Sequence, residues 1–309
     1  MSDLQMHLEN YLSLRQSLGY KLRTHRSALR DFVDYIKTKK AVSITTQLAL
    51  AWAMKPDTAD PKWWAYRLRM VHHFALFVRA RDHKCEVPPL KLLHYNYQRP
   101  KPYIYSEEEI SRLIAAAQAL PCRKGIRGLT YSTLFALLWV TGLRISEALA
   151  LDKDDVDFGN RLLTIRNSKF DKSRLVPVHA STGKALKYYS RHRDHVFLKA
   201  QSDSFFLTTL GTRPTCAIAQ LTFRQLCFTT GIRNSCCGKG PRIHDMRHSF
   251  AVKSLIDIHR ANQDVEQRVY ALSVYLGHIG PSSTYWYFSA VPELMEIALG
   301  SLERKRGIL

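Results

Sequence analysis

A proline-containing break from Val87 to Tyr105 divides this 309-residue chain into two parts with different apolar patterns. The stretch reads VPPLKLLHYNYQRPKPYIY, and its four prolines interrupt any helical spacing of apolar residues. Proline lacks an amide donor and disfavours a helical conformation in the residue before it, so such a stretch favours extended chain. The break predicts a helical domain over 1–95, a basic linker over 96–105 and a second domain over 106–309.

The first part has the pattern of four helices. Apolar residues recur at helical spacing over 4–12 and again over 29–36. Thr45 stands where it would cap a short third helix, and Asp60 followed by Pro61 is a typical start for a fourth. Lysines and arginines of the fourth helix give this predicted unit a basic side.

The second part predicts a mixed domain. Ser106 and Glu109 have the spacing of a capping box at a helix start. Segments 162–165 and 175–178 are strand-like and flank a polar turn, which predicts a β-hairpin, and a turn at 159–160 joins an earlier short strand to it. The predicted helices cover 107–119, 129–140, a segment from Arg144, 181–191, 215–230, 244–259, 264–276, 285–288 and 292–304. The fold class is therefore mainly α, with a small antiparallel sheet in an α+β second domain.

The charge of the chain points to a polyanionic partner. Its 46 lysines and arginines against 26 acidic residues give a net charge of +20. Nucleic acid is the first candidate and an anionic membrane surface the second. No apolar run reaches the roughly 20 residues that span a bilayer, and the N-terminus lacks the pattern of a signal peptide, so we predict a cytoplasmic protein. The six cysteines have no paired CxxC spacing, which favours reduced thiols over a zinc site.

Four short segments of the second part carry residue types suited to phosphodiester chemistry. In chain order they are TGLRISEAL at 141–149, the hairpin turn with Lys169 and Lys172, IHDMRH at 243–248, and LGH at 276–278 followed by Tyr287. His244 and Arg247 are three residues apart in a predicted helix and therefore share a face.

These side chains match the parts of a strand-transfer reaction that needs neither metal nor cofactor. Two guanidinium groups would neutralise the charge that grows on a five-coordinate phosphate. A tyrosine hydroxyl has a pKa of about 10, so its attack at neutral pH needs a neighbouring base or a positive field. A lysine on the turn would protonate the leaving alkoxide. Metal catalysis would need clustered carboxylates, whereas Glu147, Asp171 and Asp245 lie in three different segments.

The ordered series TGLRISEAL, a hairpin lysine, HDMRHSFA, LGH and a tyrosine nine residues later resembles the tyrosine recombinase/integrase family, in particular chromosome-dimer resolvases and the integrases of transposons and integrons. The resemblance covers about residues 106–305. It implies an N-terminal SAM-like core-binding domain and a catalytic domain that together form a C-shaped clamp on double-stranded DNA. It also implies a homo-tetramer, or a hetero-tetramer with related recombinases, on two DNA sites, held together by a C-terminal oligomerisation helix. The setting it implies is the bacterial nucleoid, with no membrane partner.

The resemblance also implies a role for each residue. Arg144 and Arg247 would clamp the scissile phosphate, Lys169 would protonate the 5′-oxygen, His244 would act as acid and base, His278 would bond a phosphate oxygen, Glu147 would orient the site, and Tyr287 would form a 3′-phosphotyrosine link. The candidate DNA contacts outside this set are Arg23, Arg26, Arg67, Arg224 and Lys172.

Two departures from the family pattern leave alternatives open. The turn reads SKFDKSR where the family usually has GKGxKxR, so Lys172 competes with Lys169 for the acid role. Tyr285 lies close enough to compete with Tyr287 as nucleophile.

The sequence also allows simpler structural explanations for some of these residues, and other functions for the chain. Arg144 and Glu147 have the spacing of an ordinary ion pair, and His278 that of a helix cap. The alternative functions are a catalytically silent accessory DNA-binding protein of the same fold, a type IB topoisomerase and, more remotely, a metal-dependent transposase.

Overall fold

The computed structural model divides into two compact units, residues 1–99 and 100–309. The residues that it describes are 3–20, 22–93, 100–122, 125–166, 173–198, 202–233, 240–261, 264–278, 280, 282–292, 294–296 and 299. Among them, no helix is both long and apolar enough to cross a bilayer.

The first unit contains four helices: α1 (Asp3–Ser17), α2 (Arg23–Thr38), α3 (Thr46–Met54) and α4 (Pro61–Arg79). Both predicted caps are confirmed. Thr45 accepts a hydrogen bond from the Leu48 amide at 3.3 Å, and Asp60 accepts one from the Lys62 amide at 2.9 Å. These caps satisfy amides that a helix start leaves unpaired, and they fix where α3 and α4 begin.

Arg67 lies inside the first unit. Its guanidinium carbon lies 3.6 Å from the centre of a Trp52 ring, and the group donates to the Trp52 carbonyl at 3.0 Å. Oδ2 of Asp31 lies 3.5 Å from Nη2 of Arg67. The same oxygen accepts a hydrogen bond from the Trp52 indole at 2.8 Å. Burial lowers the pKa of Arg67, and the charge of Asp31 opposes that shift. These contacts favour a structural role for Arg67 over the DNA contact predicted for it.

Replacing Trp52 by alanine is expected to lower the free energy of unfolding of the first unit by about 3–5 kcal/mol. The side chain is fully buried, packs edge to face on Phe32 and covers the Arg67 guanidinium. Urea unfolding of the full chain measures the change, with Val42→Ala as control because Val42 is 93% exposed. Equal midpoints for the two variants would contradict this prediction.

The second unit begins with α5 (Glu107–Gln118), α6 (Ile126–Thr141) and α7 (Ile145–Ala150), and a 3₁₀ turn (Lys153–Asp155) follows. The predicted capping box is confirmed: Glu109 accepts from the Ser106 amide at 2.9 Å, and Ser106 accepts from the Glu109 amide at 3.2 Å. The end of the predicted linker belongs to this unit. Tyr105 is buried. Its amide donates to the Ser249 hydroxyl oxygen at 2.9 Å, and its own hydroxyl donates to the Arg242 carbonyl at 3.0 Å.

A three-stranded antiparallel sheet contains the predicted hairpin. Its strands are β1 (Val156–Asp157), β2 (Leu162–Ile165) and β3 (Arg174–Pro177), in that order. Leu163 pairs with Val176, and both are fully buried, so one face of the hairpin packs on the core. Strand β3 begins one residue before the predicted start because Arg174 pairs with Ile165. The turn at 167–172, with Lys169 and Lys172, lies outside the described residues.

The remaining helices are α8 (Ala180–Val196), α9 (Cys216–Thr229), α10 (Asp245–Arg260), α11 (Val265–Leu276) and α12 (Ser282–Ala290). Apolar residues of α10, α11 and α12 form a cluster of their own that includes Leu255, Leu272 and Tyr287. Leu294, in the predicted last helix, is also buried in it, and most of that predicted helix lies outside the described residues. This cluster holds the ends of three helices together, and the candidate site lies there.

Candidate active site

Three arginines from distant parts of the second unit meet at the C-terminus of α11. They donate to three successive carbonyls: Arg174 Nε to Tyr275 at 2.9 Å, Arg247 Nη2 to Leu276 at 2.6 Å, and Arg144 Nη2 to Gly277 at 3.2 Å. The last carbonyls of a helix lack partners within the helix and carry partial negative charge, so they bind cations well. Gly277 ends α11 with a positive φ of 66°. A Cβ there would lie 2.9 Å from an Arg174 nitrogen, so the close approach of Arg174 requires glycine at this position.

Glu147 is the buried counter-charge of this arginine cluster. Its carboxylate accepts from Arg144 Nη1 at 2.6 Å and from Arg174 at 2.9 and 3.1 Å, and it also accepts the Arg144 amide at 3.0 Å. Burial acts to raise the pKa of Glu147, but the hydrogen bonds and charges of Arg174 and Arg144 outweigh it and lower the pKa to about 2. The carboxylate is therefore ionised and accepts from both side chains in fixed geometry.

Arg247 is the most enclosed member of the cluster. Only 3% of its surface is exposed, and its guanidinium also donates to the Gly142 carbonyl at 2.8 Å. Burial, followed by the charge of Arg144, lowers its pKa to about 10, so it stays charged at neutral pH. A guanidinium has five N–H groups, and the two bonds described here leave donors for an oxyanion.

Tyr287 lies in the apolar cluster of α10, α11 and α12 with only 1% of its surface exposed. Its hydroxyl lies 2.7 Å from Nδ1 of His248, the residue that follows Arg247. The rival Tyr285, by contrast, is 49% exposed. The structure therefore joins Tyr287, through His248, to the helix that carries Arg247.

His244 lies at the start of α10, beside a cleft. Its ring meets the His248 ring edge to face, with centroids 4.8 Å apart. His244 retains exposed surface, but crowding by protein atoms and then the charge of Arg247 lower its pKa to about 4, so the ring is neutral at neutral pH. The cleft has a volume of about 260 Å³, and its lining includes Gln220, Phe223, Arg224, Arg233 and Arg242.

His278 follows the glycine that ends α11. Its amide donates to the Ser273 carbonyl at 3.0 Å and closes the helix end, as the simple reading predicted. Its ring is also fixed, because Nδ1 lies 2.8 Å from the hydroxyl of the buried Thr284. The side chain therefore has a fixed orientation while the backbone completes the helix.

The structure thus gathers most of the predicted residues around one helix end: Arg144, Glu147, His244, Arg247, His278 and Tyr287. Arg224 is exposed beside the cleft, and Arg26 is half-buried in α2 of the first unit, where α2 begins at Arg23. The lysine predicted as the acid, Lys169 with Lys172 as the alternative, lies outside the described residues.

Two residues of the site were missed. Arg174 is the arginine at the end of the turn pattern SKFDKSR, and His248 is the second histidine of HDMRH. Both lie inside sequence motifs that carry other predicted site residues. No pattern showed that Arg174 would share Glu147 with Arg144, or that His248 would reach the hydroxyl of Tyr287.

Comparison with known proteins identifies the family. Residues 104–292 match the model of the phage integrase family. The chain belongs to this family. The integrase/recombinase y4rB of Sinorhizobium fredii strain NBRC 101917 / NGR234 is 43% identical over 309 residues, which cover 99% of this chain and 98% of y4rB. The tyrosine recombinase XerC of Chlamydia caviae is 30% identical over 152 residues, 49% of this chain and 45% of XerC.

The fold is likewise that of known recombinases. The Tn1549 transposon integrase in complex with transposon right end DNA superposes with a TM-score of 0.64 at 17% identity, over 96% of this chain and 99% of that one. The predicted fold class and the predicted resemblance to tyrosine recombinases are confirmed. The protein is a site-specific recombinase of this family.

Proposed function

We propose that this recombinase cuts and rejoins double-stranded DNA through a 3′-phosphotyrosine link on Tyr287, without a metal or a nucleotide cofactor. The observation that carries the proposal is that Arg144 and Arg247 meet at the end of α11, while the Tyr287 hydroxyl is hydrogen-bonded to His248, the residue after Arg247. Charged donors fixed before the substrate arrives stabilise a phosphorane transition state without reorganisation, which makes this arrangement suited to strand transfer.

The reaction follows from these positions. Arg144, Arg247 and His278 hold the non-bridging oxygens of the scissile phosphate, and His244 acts as acid and base at the cleft side. Tyr287 attacks phosphorus, and the turn lysine, Lys169 with Lys172 as the alternative, protonates the departing 5′-oxygen. Because Tyr287 is 1% exposed, DNA binding must first displace the atoms that cover its hydroxyl. The phosphotyrosine bond stores the energy of the broken bond, so the reverse reaction reseals the strand.

The biological setting is the movement of a mobile element in bacterial cytoplasm, on the nucleoid. The whole-length likeness to y4rB, which carries the name integrase/recombinase, supports this part of the proposal. We propose residues 1–95 as the DNA-binding core domain, with Arg23 and Arg26 as candidate contacts. Residues 106–309 are the proposed catalytic domain, ending in a helix that joins protomers into a homo- or hetero-tetramer on two DNA sites.

The cleft beside His244 supports a contact between Arg224 and the DNA backbone. Arg224 and Arg242 are exposed there, and Arg233 is half-buried. Replacing Arg224 by alanine is expected to weaken binding and to reduce the slope of log K against log salt by about 0.9, the value for one phosphate contact. Fluorescence titrations from 50 to about 200 mM salt measure the slope. Arg191→Ala, which removes an exposed arginine of α8, serves as control, and equal slopes in both variants would exclude the contact.

The proposed function is tested with a duplex that carries a nick beside the cleavage site, which traps the cut strand on the protein. Wild-type protein should form a covalent adduct in EDTA and without ATP, and mass spectrometry should find the nucleotide on Tyr287. Binding without any adduct on cognate ends would favour the accessory DNA-binding alternative. Relaxation of any supercoiled plasmid without sequence dependence would favour a type IB topoisomerase.

A further inference from the structure

The buried histidine His248 is in direct contact with the hydroxyl on which the proposed chemistry depends. Its Nδ1 lies 2.7 Å from Tyr287 Oη, and the two rings meet edge to face with centroids 5.5 Å apart. Only 5% of His248 and 1% of Tyr287 are exposed. A hydrogen bond shielded from water is electrostatically stronger than an exposed one, so this contact fixes the direction of the hydroxyl.

We propose that His248 is a further catalytic residue, which accepts the phenolic proton of Tyr287 in strand cleavage and returns it in rejoining. The inference rests on the proposed function, because it requires Tyr287 to be the nucleophile. In cleavage, Oη forms the bond to phosphorus, the phosphorus–O5′ bond breaks, and the Oη proton moves to Nδ1 of His248. The 5′-oxygen takes a separate proton from the ammonium group of the turn lysine. Rejoining reverses both transfers, so each proton has a donor and an acceptor.

His244 and His248 lie at positions that suit them to different tasks. His244 is exposed at the mouth of the cleft, where a DNA phosphate can reach it. His248 is buried one helical turn further along α10, and its ring contacts the rings of both His244 and Tyr287, at centroid distances of 4.8 and 5.5 Å. Because His248 directly follows Arg247 in the same helix, the proton acceptor and one arm of the phosphate clamp are held in a fixed relation. His244 therefore serves the phosphate, and His248 serves the tyrosine.

The test compares single-turnover adduct formation on two nicked duplexes, one with the natural scissile phosphodiester and one with sulfur in place of the bridging 5′-oxygen. A thiolate leaves without protonation, so the sulfur substrate removes the need for an acid but keeps the need for a base. His248→Asn retains a hydrogen-bond acceptor and cannot take up a proton at neutral pH. Its maximal rate is expected to fall about 10²–10⁴-fold on both substrates, with the Kd for DNA unchanged. His248→Gln repeats the test if the asparagine variant does not fold.

Two further variants make the result specific. Lys169→Ala is expected to be slow on the phosphodiester and to recover on the sulfur substrate, because it lacks only the acid. His259→Asn is the matched control, since His259 is a buried histidine of α10 whose ring packs on Phe288 of α12, 5.3 Å away. It should react at the wild-type rate on both substrates.

The proposal is overturned if His248→Asn cleaves at the wild-type rate, if its defect disappears on the sulfur substrate, or if His259→Asn shows the same defect. A different result would overturn the proposed function itself: no adduct with the wild-type protein, or an undiminished adduct with Tyr287→Phe. The two failures are therefore distinguishable within one set of reactions.

Discussion

Replacing Tyr287 by phenylalanine is expected to abolish the covalent protein–DNA adduct, whereas replacing Tyr285 leaves it intact. Phenylalanine has no atom that can attack phosphorus, and removal of an enzymic nucleophile costs about 10⁴-fold or more in rate. The fold should survive, because the aromatic ring still fills its place among α10, α11 and α12. Losing the hydrogen bond to His248 costs only about 1 kcal/mol of stability. Adduct yield on the nicked duplex measures the effect, and thermal melting checks that the variant is folded.

Tyr285→Phe is the matched control, because it makes the same chemical change two residues away. Tyr285 is 49% exposed, and its ring packs loosely on Phe288 with centroids 6.2 Å apart. Substitutions at such positions change stability by about 0.5 kcal/mol or less, so the rate should stay within about twofold of wild type. If Tyr285→Phe loses the adduct and Tyr287→Phe keeps it, the nucleophile has been assigned to the wrong tyrosine.

Local structure was predictable from the sequence wherever a few adjacent residues decide it. Strand β2 begins and ends at the predicted residues because its short apolar run and the turns that flank it are local signals. The same holds for the caps at Thr45, Asp60 and Ser106, where one side chain satisfies an amide two or three residues away.

Contacts between distant segments were not predictable in the same way. Arg67 stands among other basic residues in the sequence, and only the packing of α3 on α4 reveals that its guanidinium covers Trp52. Tyr105 ends a proline-containing stretch, yet it is buried because its hydroxyl and amide find partners about 140 residues away. Neither contact has a periodic or local signal in the sequence, because each depends on how distant segments pack.

The candidate site shows the same difference between local sequence motifs and contacts between distant segments. Motif order was enough to select Arg144, Arg247 and Tyr287, because each lies in a recognisable segment. The structure adds what holds them: the carbonyls at the end of α11 orient three guanidinium groups, and one carboxylate lies between two of these groups. Like charges brought together in this way repel one another and raise the energy of the folded state. Glu147 and the helix terminus offset that repulsion before any phosphate arrives.

Replacing Glu147 by glutamine is therefore expected to reduce the stability of the second unit by about 3–5 kcal/mol, the usual cost of removing one partner from a buried ion pair. Glutamine has nearly the same shape, but it cannot offer negative charge to Arg144 and Arg174. Cleavage should slow as well, since Arg144 would lose the acceptor that aims it. Denaturant unfolding and adduct formation measure the two effects. Glu108→Gln is the control, because Glu108 is an exposed carboxylate in the first turn of α5.

The same carboxylate predicts how stability depends on acid. The pKa of Glu147 is lowered from 4.5 to about 2 in the folded protein, so the unfolded chain takes up its proton first as the pH falls. Its stabilising contribution, about 3 kcal/mol, is fully present above pH 4.5 and is lost as the pH falls towards 2. The wild-type protein should lose this part of its unfolding free energy across that interval, and Glu147→Gln should not. Parallel acid-unfolding curves for the two proteins would mean that Glu147 is not the counter-charge that holds the arginine cluster in place.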